Sequence, residues 1–512
     1  MKKISYGREE VFKGMTVVAE AVGSTIGPNG CNWVLDRGFN SPLIVNDGVS
    51  ISEAMEVEDF TQKQGVDLFK FMAKKQREQA GDGTTTVQVI AHALIEEGMK
   101  YANPMEIKRS LEKAGVKVVE ELKKLAKPVK TDKEILQVAT IATESEEYGQ
   151  MILDVIKAIG RDGVISVEQS QGRETEVKIA EGYQVEKGYS NVATGIAQFK
   201  NPKVLVVGEK ISSIHDLAPL FDAAMQAGIR QLALFCVEMD PEVMTHIARL
   251  WESNTLRVLV IKANTQNQEV LHDIAIITGA QYIGQDVGYP LAHAKVDMLG
   301  DAKRITADNK QTQIIDGAGD PDQKVEELRK ELTTTTDANQ YDLIEKRIAR
   351  LKHEVGVISV GAATEEAMQY LYYKLLNGVN STKASIEEGI VEGGGMTLYR
   401  IADKLEDTVG EKIMKRALKM PLRKIIENGG KDYTEIMCHL AVDEAMREIA
   451  KESNQRGYDA KNDRFVEMHK AGIIDPVKVE RCAIENATSL ASTFLTVHGS
   501  VSLIRELPVK GE

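Results

Sequence analysis

Aromatic residues are scarce in this 512-residue chain, at 5% with two tryptophans, so its cores must be built mainly from Val, Ile, Leu, Ala and Met. Cysteine is scarcer still. Cys31, Cys236, Cys438 and Cys482 stand far apart, with no C-x-x-C and no histidine nearby at metal-ligand spacing. A disulfide scaffold and a zinc module are thereby excluded, and inert thiols in a reducing compartment are expected. No apolar run approaches the roughly 18 residues of a membrane helix. The start, Met1 to Glu10, turns acidic where a signal peptide would turn apolar, so a cytoplasmic protein with no membrane partner is expected. Positive charge is also in deficit: the net charge is −13, which argues against a nucleic-acid partner. Hydrophobic residues at 43% and charged residues at 28% are ordinary for a globular protein of several domains.

Helical patterns occupy both ends of the chain. Val87, Ile90, Ala91, Leu94 and Ile95 form one apolar stripe on a helix opened by Thr84-Thr85-Thr86. Asn103-Pro104 interrupts, and a second amphipathic helix is expected from about 105 to 126. Near the other end Ile484, Ala487, Ala491, Phe494 and Leu495 repeat the pattern, with small residues that predict close helix contact. The middle differs. Val204–Val207, Leu232–Cys236 and Val258–Ile261 read as short strands alternating with helices, the rhythm of a parallel α/β unit. Two charged amphipathic stretches, about 322–334 and 339–353, read as a helical hairpin with a solvated face.

Four stretches have main-chain chemistry suited to phosphate: Thr25-Ile26-Gly27-Pro28-Asn29-Gly30, Val45-Asn46-Asp47-Gly48-Val49, Gly81-Asp82-Gly83-Thr84-Thr85-Thr86 and Val391-Glu392-Gly393-Gly394-Gly395. The third carries the strongest mechanism. Its glycines allow close approach of a ligand, and a helix N-terminus with free N–H groups follows. Asp82 could there hold a magnesium ion between phosphate oxygens. The plainer alternative is a capped helix start, with Asp82 or Thr84 as N-cap. Neither a G-K-[ST] nor a G-x-G-x-x-G motif occurs, which excludes the Walker A loop and the Rossmann fingerprint.

In this order and spacing, these segments resemble the group I (GroEL-type) chaperonins. Val34-Leu35-Asp36, Asn103-Pro104-Met105, Asp162-Gly163-Val164-Ile165, Ile314-Ile315-Asp316-Gly317, Val360 to Glu365, Glu387-Glu388-Gly389, Gly457-Tyr458 and Gly472 to Pro476 add to the match, from about residue 6 to 508. The resemblance implies a multidomain α+β subunit. Its helical equatorial ATP-binding domain would come from 1–124 and 388–512. A small intermediate hinge domain would come from 125–180 and 356–387, and an α/β apical substrate-binding domain from 181–355. Such subunits form heptameric rings, single or double, that bind and refold non-native polypeptides with ATP, magnesium and potassium, in some cases under a co-chaperonin lid.

Carried over by position, Thr25, Ile26, Gly27 and Pro28 would line the nucleotide. Gly83, Thr84, Thr85 and Thr86 would cradle its phosphates, with Asp82 on magnesium and Asp47 beside the attacking water. Ile141, Gly393, Gly394, Asp459, Ala460 and Asp475 would hold base and ribose. Tyr189, Ala193, Thr194, Ala218, Phe221, Met244, Ala248 and Arg249 would form the substrate-protein surface, with Leu217, Leu220 or Ile247 as possible apolar substitutes.

The sequence departs from the family pattern at telling places. Asn377 stands where the family has a catalytic aspartate, so slow hydrolysis is expected, since a positioned base is worth roughly 10²–10⁴ in rate. Gly378 follows it, a pair prone to deamidation. Asn46 replaces a lysine beside the phosphates, and Asp459 stands where the family has asparagine. The apical surface is smaller and more polar than the family norm. Changes in 404–416 and 432–456, and an end at Glu512 without a Gly/Met tail, leave a single ring open beside a double one. Two rival readings are a metabolic kinase, for which no acceptor site is evident, and a nucleotide-switched binding cage with little or no turnover.

Overall fold

Apolar side chains from both ends of the chain meet in one core. Ile90, Leu94 and Ile95 of the helix Thr84–Gly98 pack with Leu111 and Val118 of Pro104–Leu125, and with Ile413 and Leu418 of Val409–Asn428. Ile484, Ala487, Ala491 and Phe494 of Val477–Phe494 join them, as the two amphipathic stripes predict. Small residues set how closely these helices approach. A Cβ on Gly98 would lie 2.5 Å from Leu495 Cδ1, and one on Gly115 would lie 2.9 Å from Thr488 Cγ2. Asn103 caps the helix that Pro104 opens, accepting from the Glu106 N–H.

The computed structural model describes residues 2–37, 40–161, 163–170, 172–185, 187–190, 197–262, 268–308, 311–334, 344, 347–348, 351, 354–450 and 456–503. The chain divides into two compact units. The first holds Met1–Asp154, Val167–Glu176 and Ser359–Glu512; the second holds Val155–Ser166 and Val177–Ile358. Of the segment expected as a hinge domain, residues 125–154, 167–176 and 359–387 lie in the first unit.

Most of a ten-stranded sheet lies in the second unit. Its order is Val164–Gln169, Glu354–Val360, Glu176–Val185, Thr312–Gly317, Gly300–Ala307, Lys203–Ile211, Gln231–Met239, Arg257–Lys262, with Tyr282–Ile283 and Ala197–Lys200 paired off this path. The three strands predicted as parallel are parallel, with Val204 opposite Ala233 and Ala233 opposite Leu259. Their apolar runs are continuous because both faces are covered: Val204, Val206 and Phe235 face one core, and Leu205, Val207 and Leu234 the other.

The sheet as a whole is mixed rather than parallel, which corrects the sequence reading. Gly300–Ala307 pairs antiparallel with Thr312–Gly317, Ala197–Lys200 and Lys203–Ile211. The link from Ala307 to Thr312 is too short for a parallel crossover, and exposed or half-buried residues interrupt Gly300–Ala307, unlike the continuous buried runs of the parallel strands. Of the expected charged hairpin, the first limb is the helix Asp322–Thr334, with Val325 and Leu328 buried. Its turn, and the second limb apart from 344, 347–348 and 351, lie outside the described residues. Not all of its charge is solvated: Arg347 holds Asp273 through Nη2 at 2.7 Å and Nε at 3.0 Å, in a largely buried pair. Among the described residues no helix is long and apolar enough to cross a membrane.

Candidate functional site

The loop Gly81–Thr86 connects two helices by left-handed glycines. Phe60–Ala80 ends at Gly81, and Thr84–Gly98 begins from Gly83 at φ +78°. Gly83 is the N-cap, not Asp82 or Thr84, and no side chain caps the helix. A Cβ there would be strained and would lie 2.5 Å from Val479 Cγ1, so glycine is required. The helix start thus keeps main-chain N–H groups free of a side-chain cap, at the positive end of the dipole.

Asp47 lies beside this helix start. It caps Gly48–Ala54, its Oδ2 accepting from the Ser50 N–H at 2.9 Å and the Ser50 hydroxyl at 2.7 Å. The same oxygen accepts from Arg77 Nη2 at 2.7 Å. Gly48 meets the threonines: a Cβ on it would sit 2.5 Å from Thr85 Oγ1 and 3.1 Å from Thr84 Oγ1.

The first and fourth stretches meet on the helix Val409–Asn428. Gly27 packs on its Ile425, and Gly395 on its Leu422, one turn apart on one face. Asn428 donates to the carbonyls of Gly23 and Ile26, which fixes the loop carrying Thr25 to Gly30. Thr25 is buried and its hydroxyl donates to the Val22 carbonyl, so its contribution to a ligand would be steric. Pro28 is exposed. Asn29 donates to the Ala460 carbonyl at 2.8 Å, joining that loop to the hairpin Arg456–Asp459 and Arg464–Glu467. Asp459 is engaged by its own turn, accepting from the N–H groups of Lys461 and Asn462.

Strand Ile390–Glu392 pairs antiparallel with Ile474–Pro476, placing Val391 opposite Asp475. Asp475 accepts from the Gly394 N–H, and the Gly393 N–H donates to the Ile473 carbonyl at 3.0 Å. Ile141 is partly exposed on Asp132–Thr143, one turn beyond Gln137, which lies against Gly472.

Carboxylates dominate the electrostatics. Burial pushes the Asp82 carboxyl up, against a hydrogen bond from the Ser381 hydroxyl and one from the Gly83 N–H, with nearby Asp47 adding to the rise. Burial and then the Asp82 charge push Asp475 up to about 6. Burial, then Asp475 and Asp82, push Glu480 up to about 8. Glu480 lies in the first turn of Val477–Phe494, and its Oε2 has no hydrogen-bond partner among the described residues. Carboxylates raised by neighbouring carboxylates mark a site short of positive charge. Among the described residues no three His, Cys, Asp or Glu side chains are grouped to hold a metal by themselves. A donor set of one or two hard carboxylates, with the remaining positions left to phosphates and water, is what magnesium takes. Asp82 beside the uncapped helix start fits it.

Asn377 belongs to the helix Glu365–Glu388, in the first unit with the residues above. Its neighbours one turn on make the contacts: Asn380 Nδ2 donates to the Gly81 carbonyl at 3.3 Å, and the Ser381 hydroxyl donates to Asp82 Oδ2. Gly378 is buried mid-helix against Thr143 and Ile152, a backbone geometry that opposes the ring closure deamidation needs. Sequence reasoning missed Arg77, Ser381 and Glu480. Each lies outside the glycine-rich stretches, and only Ser381, four residues after Asn377, was findable from helical spacing.

The expected substrate-protein surface belongs to the second unit. Met244, Ala248 and the exposed Arg249 lie on the helix Pro241–Glu252, and Ala218 opens Ala218–Gln226 with partial exposure. Tyr189 is partly buried. Phe221 is buried in the core, which leaves it no face for another chain; Leu217, Leu220 and Ile247 are buried too and offer no apolar substitute at the surface. Ala193 and Thr194 lie outside the described residues.

Residues 18–218 and 247–503 match the TCP-1/cpn60 chaperonin family. Among solved structures the chain is similar to the chaperonin gp146 from the bacteriophage EL 2 (Pseudomonas aeruginosa), crystallised in the presence of ATP-BeFx. That match has a TM-score of 0.65 at 16% identity, and covers 98% of this chain and 99% of that one. With helical chain ends joined in one core, a mixed α/β middle and a family match across most of its length, the chain belongs to the TCP-1/cpn60 chaperonin family, as a divergent GroEL-type member.

Proposed function

We propose that this protein is an ATP-dependent, ring-forming chaperonin that binds and refolds non-native polypeptides, with slow ATP hydrolysis. The observation that supports the reading is Gly48, beside Asp47, abutting Thr84 and Thr85 at an uncapped helix start, with Asp475 and Glu480 close enough to Asp82 to be raised by its charge. Phosphoryl transfer needs positioning and charge neutralisation more than covalent help, and such a cleft supplies both. The Thr84–Thr86 amides would receive phosphate oxygens, Gly393 and Gly394 would admit the nucleotide closely, and Asp475 would accept from a ribose hydroxyl. Asp47, held by Ser50 and Arg77, would orient the attacking water. Magnesium bound at Asp82 would offset phosphate charge. Potassium is proposed from the family resemblance alone.

Asn377 has no carboxylate to take a proton, which sets the expected rate. Single-turnover ATP cleavage by the parent protein should be slower than by Asn377→Asp by roughly 10²–10⁴. Equal rates would sink the claim of slowed hydrolysis. Asn377 also favours a second reading, a cage switched by nucleotide binding with little or no turnover; steady-state phosphate release indistinguishable from background would select it.

Ring assembly draws support from apolar surface on the first unit. Val34 and Ile44 face each other across the hairpin Trp33–Arg37 and Asn40–Val45, at 66% and 47% exposed, which suits contact with another copy. Light scattering of the purified protein should return a particle of seven or fourteen chains. A monomer would remove the ring from the proposal. Apolar burial, at roughly 25 cal/mol per Å², drives capture of non-native chains, so the thin Met244–Ala248 face predicts a narrow client range.

A further inference from the structure

A nucleoside triphosphate brings about four negative charges into a cleft that already holds Asp47, Asp82, Asp475 and Glu480. Magnesium offsets two of them, and the terminal phosphate is left in need of a further cation. Among the described residues, Arg77 is the cation bonded to a carboxylate of this group, Nη2 to Asp47 Oδ2 at 2.7 Å. Lys374, which also influences Asp82, is engaged by Glu144 at 2.5 Å.

The guanidinium is placed for a second partner. Nε and Nη1 have no hydrogen-bond partner among the described residues, and the Arg77 side chain is 28% exposed. The Tyr373 ring lies under it, with Cζ 5.8 Å from the ring centroid, which restrains the planar group without using its N–H donors. Arg77 occupies the last turn of Phe60–Ala80, just before Gly81, and its partner Asp47 precedes the Gly48 that abuts Thr84 and Thr85. A planar fork with free donors matches phosphate oxygens.

We propose that Arg77 is a phosphate-binding residue that bridges Asp47 and the terminal phosphate, and so distinguishes nucleoside triphosphate from diphosphate. The inference rests on the nucleotide reading above and deepens it. With a diphosphate the guanidinium stays on Asp47 alone; with a triphosphate its free edge gains a charged partner.

The test is calorimetric titration of the purified protein, assembled as it is isolated, with magnesium AMP-PNP and with magnesium ADP. Arg77→Gln should weaken AMP-PNP by about tenfold or more while ADP changes by less than about twofold, and Arg77→Lys should recover much of the AMP-PNP affinity. Equal weakening of both nucleotides, with no recovery by lysine, would mean that Arg77 only props Asp47, and overturns the inference. Unchanged affinity for both overturns it as well. A parent protein that binds neither nucleotide would instead sink the nucleotide reading itself, so the two failures are separable.

Discussion

Replacing Glu480 by glutamine should stabilise this protein, and increasingly so as pH rises. The side chain is 7% exposed and its Oε2 has no hydrogen-bond partner among the described residues. Burial, with the charges of Asp475 and Asp82, lifts its carboxyl from the ordinary 4.5 to about 8. The unfolded chain releases this proton near 4.5, whereas the folded protein keeps it until about 8. Between those values the folded state binds more protons, so stability falls as pH rises through the window and is fully present only below it. At about 1.4 kcal/mol per pH unit the loss is roughly 3 kcal/mol at pH 7 and roughly 5 kcal/mol above pH 8. A glutamine carries no charge at any pH and can turn its amide N–H toward Asp475 or Asp82. With an unfolding entropy of about 1 kcal/mol/K for a chain of this size, 3 kcal/mol is a Tm gain of about 3 °C. Scanning calorimetry of parent and Glu480→Gln, from about pH 5 to about pH 8.5, should give curves that coincide at the acid end and diverge toward alkaline pH. Parallel curves, or a parent that gains on the variant as pH rises, would refute the reasoning.

Two further outcomes follow from the same geometry. Gly83→Ala should lower stability by about 2–4 kcal/mol, from left-handed strain plus overlap with Val479, and should weaken AMP-PNP binding; calorimetry reads both, and an unaltered Tm would contradict the local backbone. Thiol titration of the native protein should report Cys31 and Cys438 as fast and Cys236 and Cys482 as slow until denaturant is added. The first pair is exposed and the second buried, with burial pushing the Cys236 thiol up to about 12.

Much of the helical architecture was legible because its signal is local. The 87–95 stripe and the Ile484–Leu495 stripe announce which face of each helix is buried, since apolar spacing at 3.6 residues has one solution on a helix. The glycine-rich stretches were likewise visible, because φ above zero and close backbone approach leave a mark in residue type. The mixed character of the sheet was not visible. Lys203–Ile211 and Gly300–Ala307 differ in burial pattern, but strand direction depends on which edge each strand finds, and no short window carries that.

The sequence by itself determined that four phosphate-suited loops exist, that they contain no cysteine, that one of them offers Asp82 to a magnesium ion, and that a carboxylate is missing at Asn377. Only the tertiary structure decided that Gly27 and Gly395 stack on one face of Val409–Asn428, and that Asp82 raises Asp475 and both raise Glu480. It alone brings Arg77 onto Asp47. The reason is physical: periodicity and backbone preference act over a few residues along the chain, whereas burial and Coulomb coupling act through space between segments hundreds of residues apart.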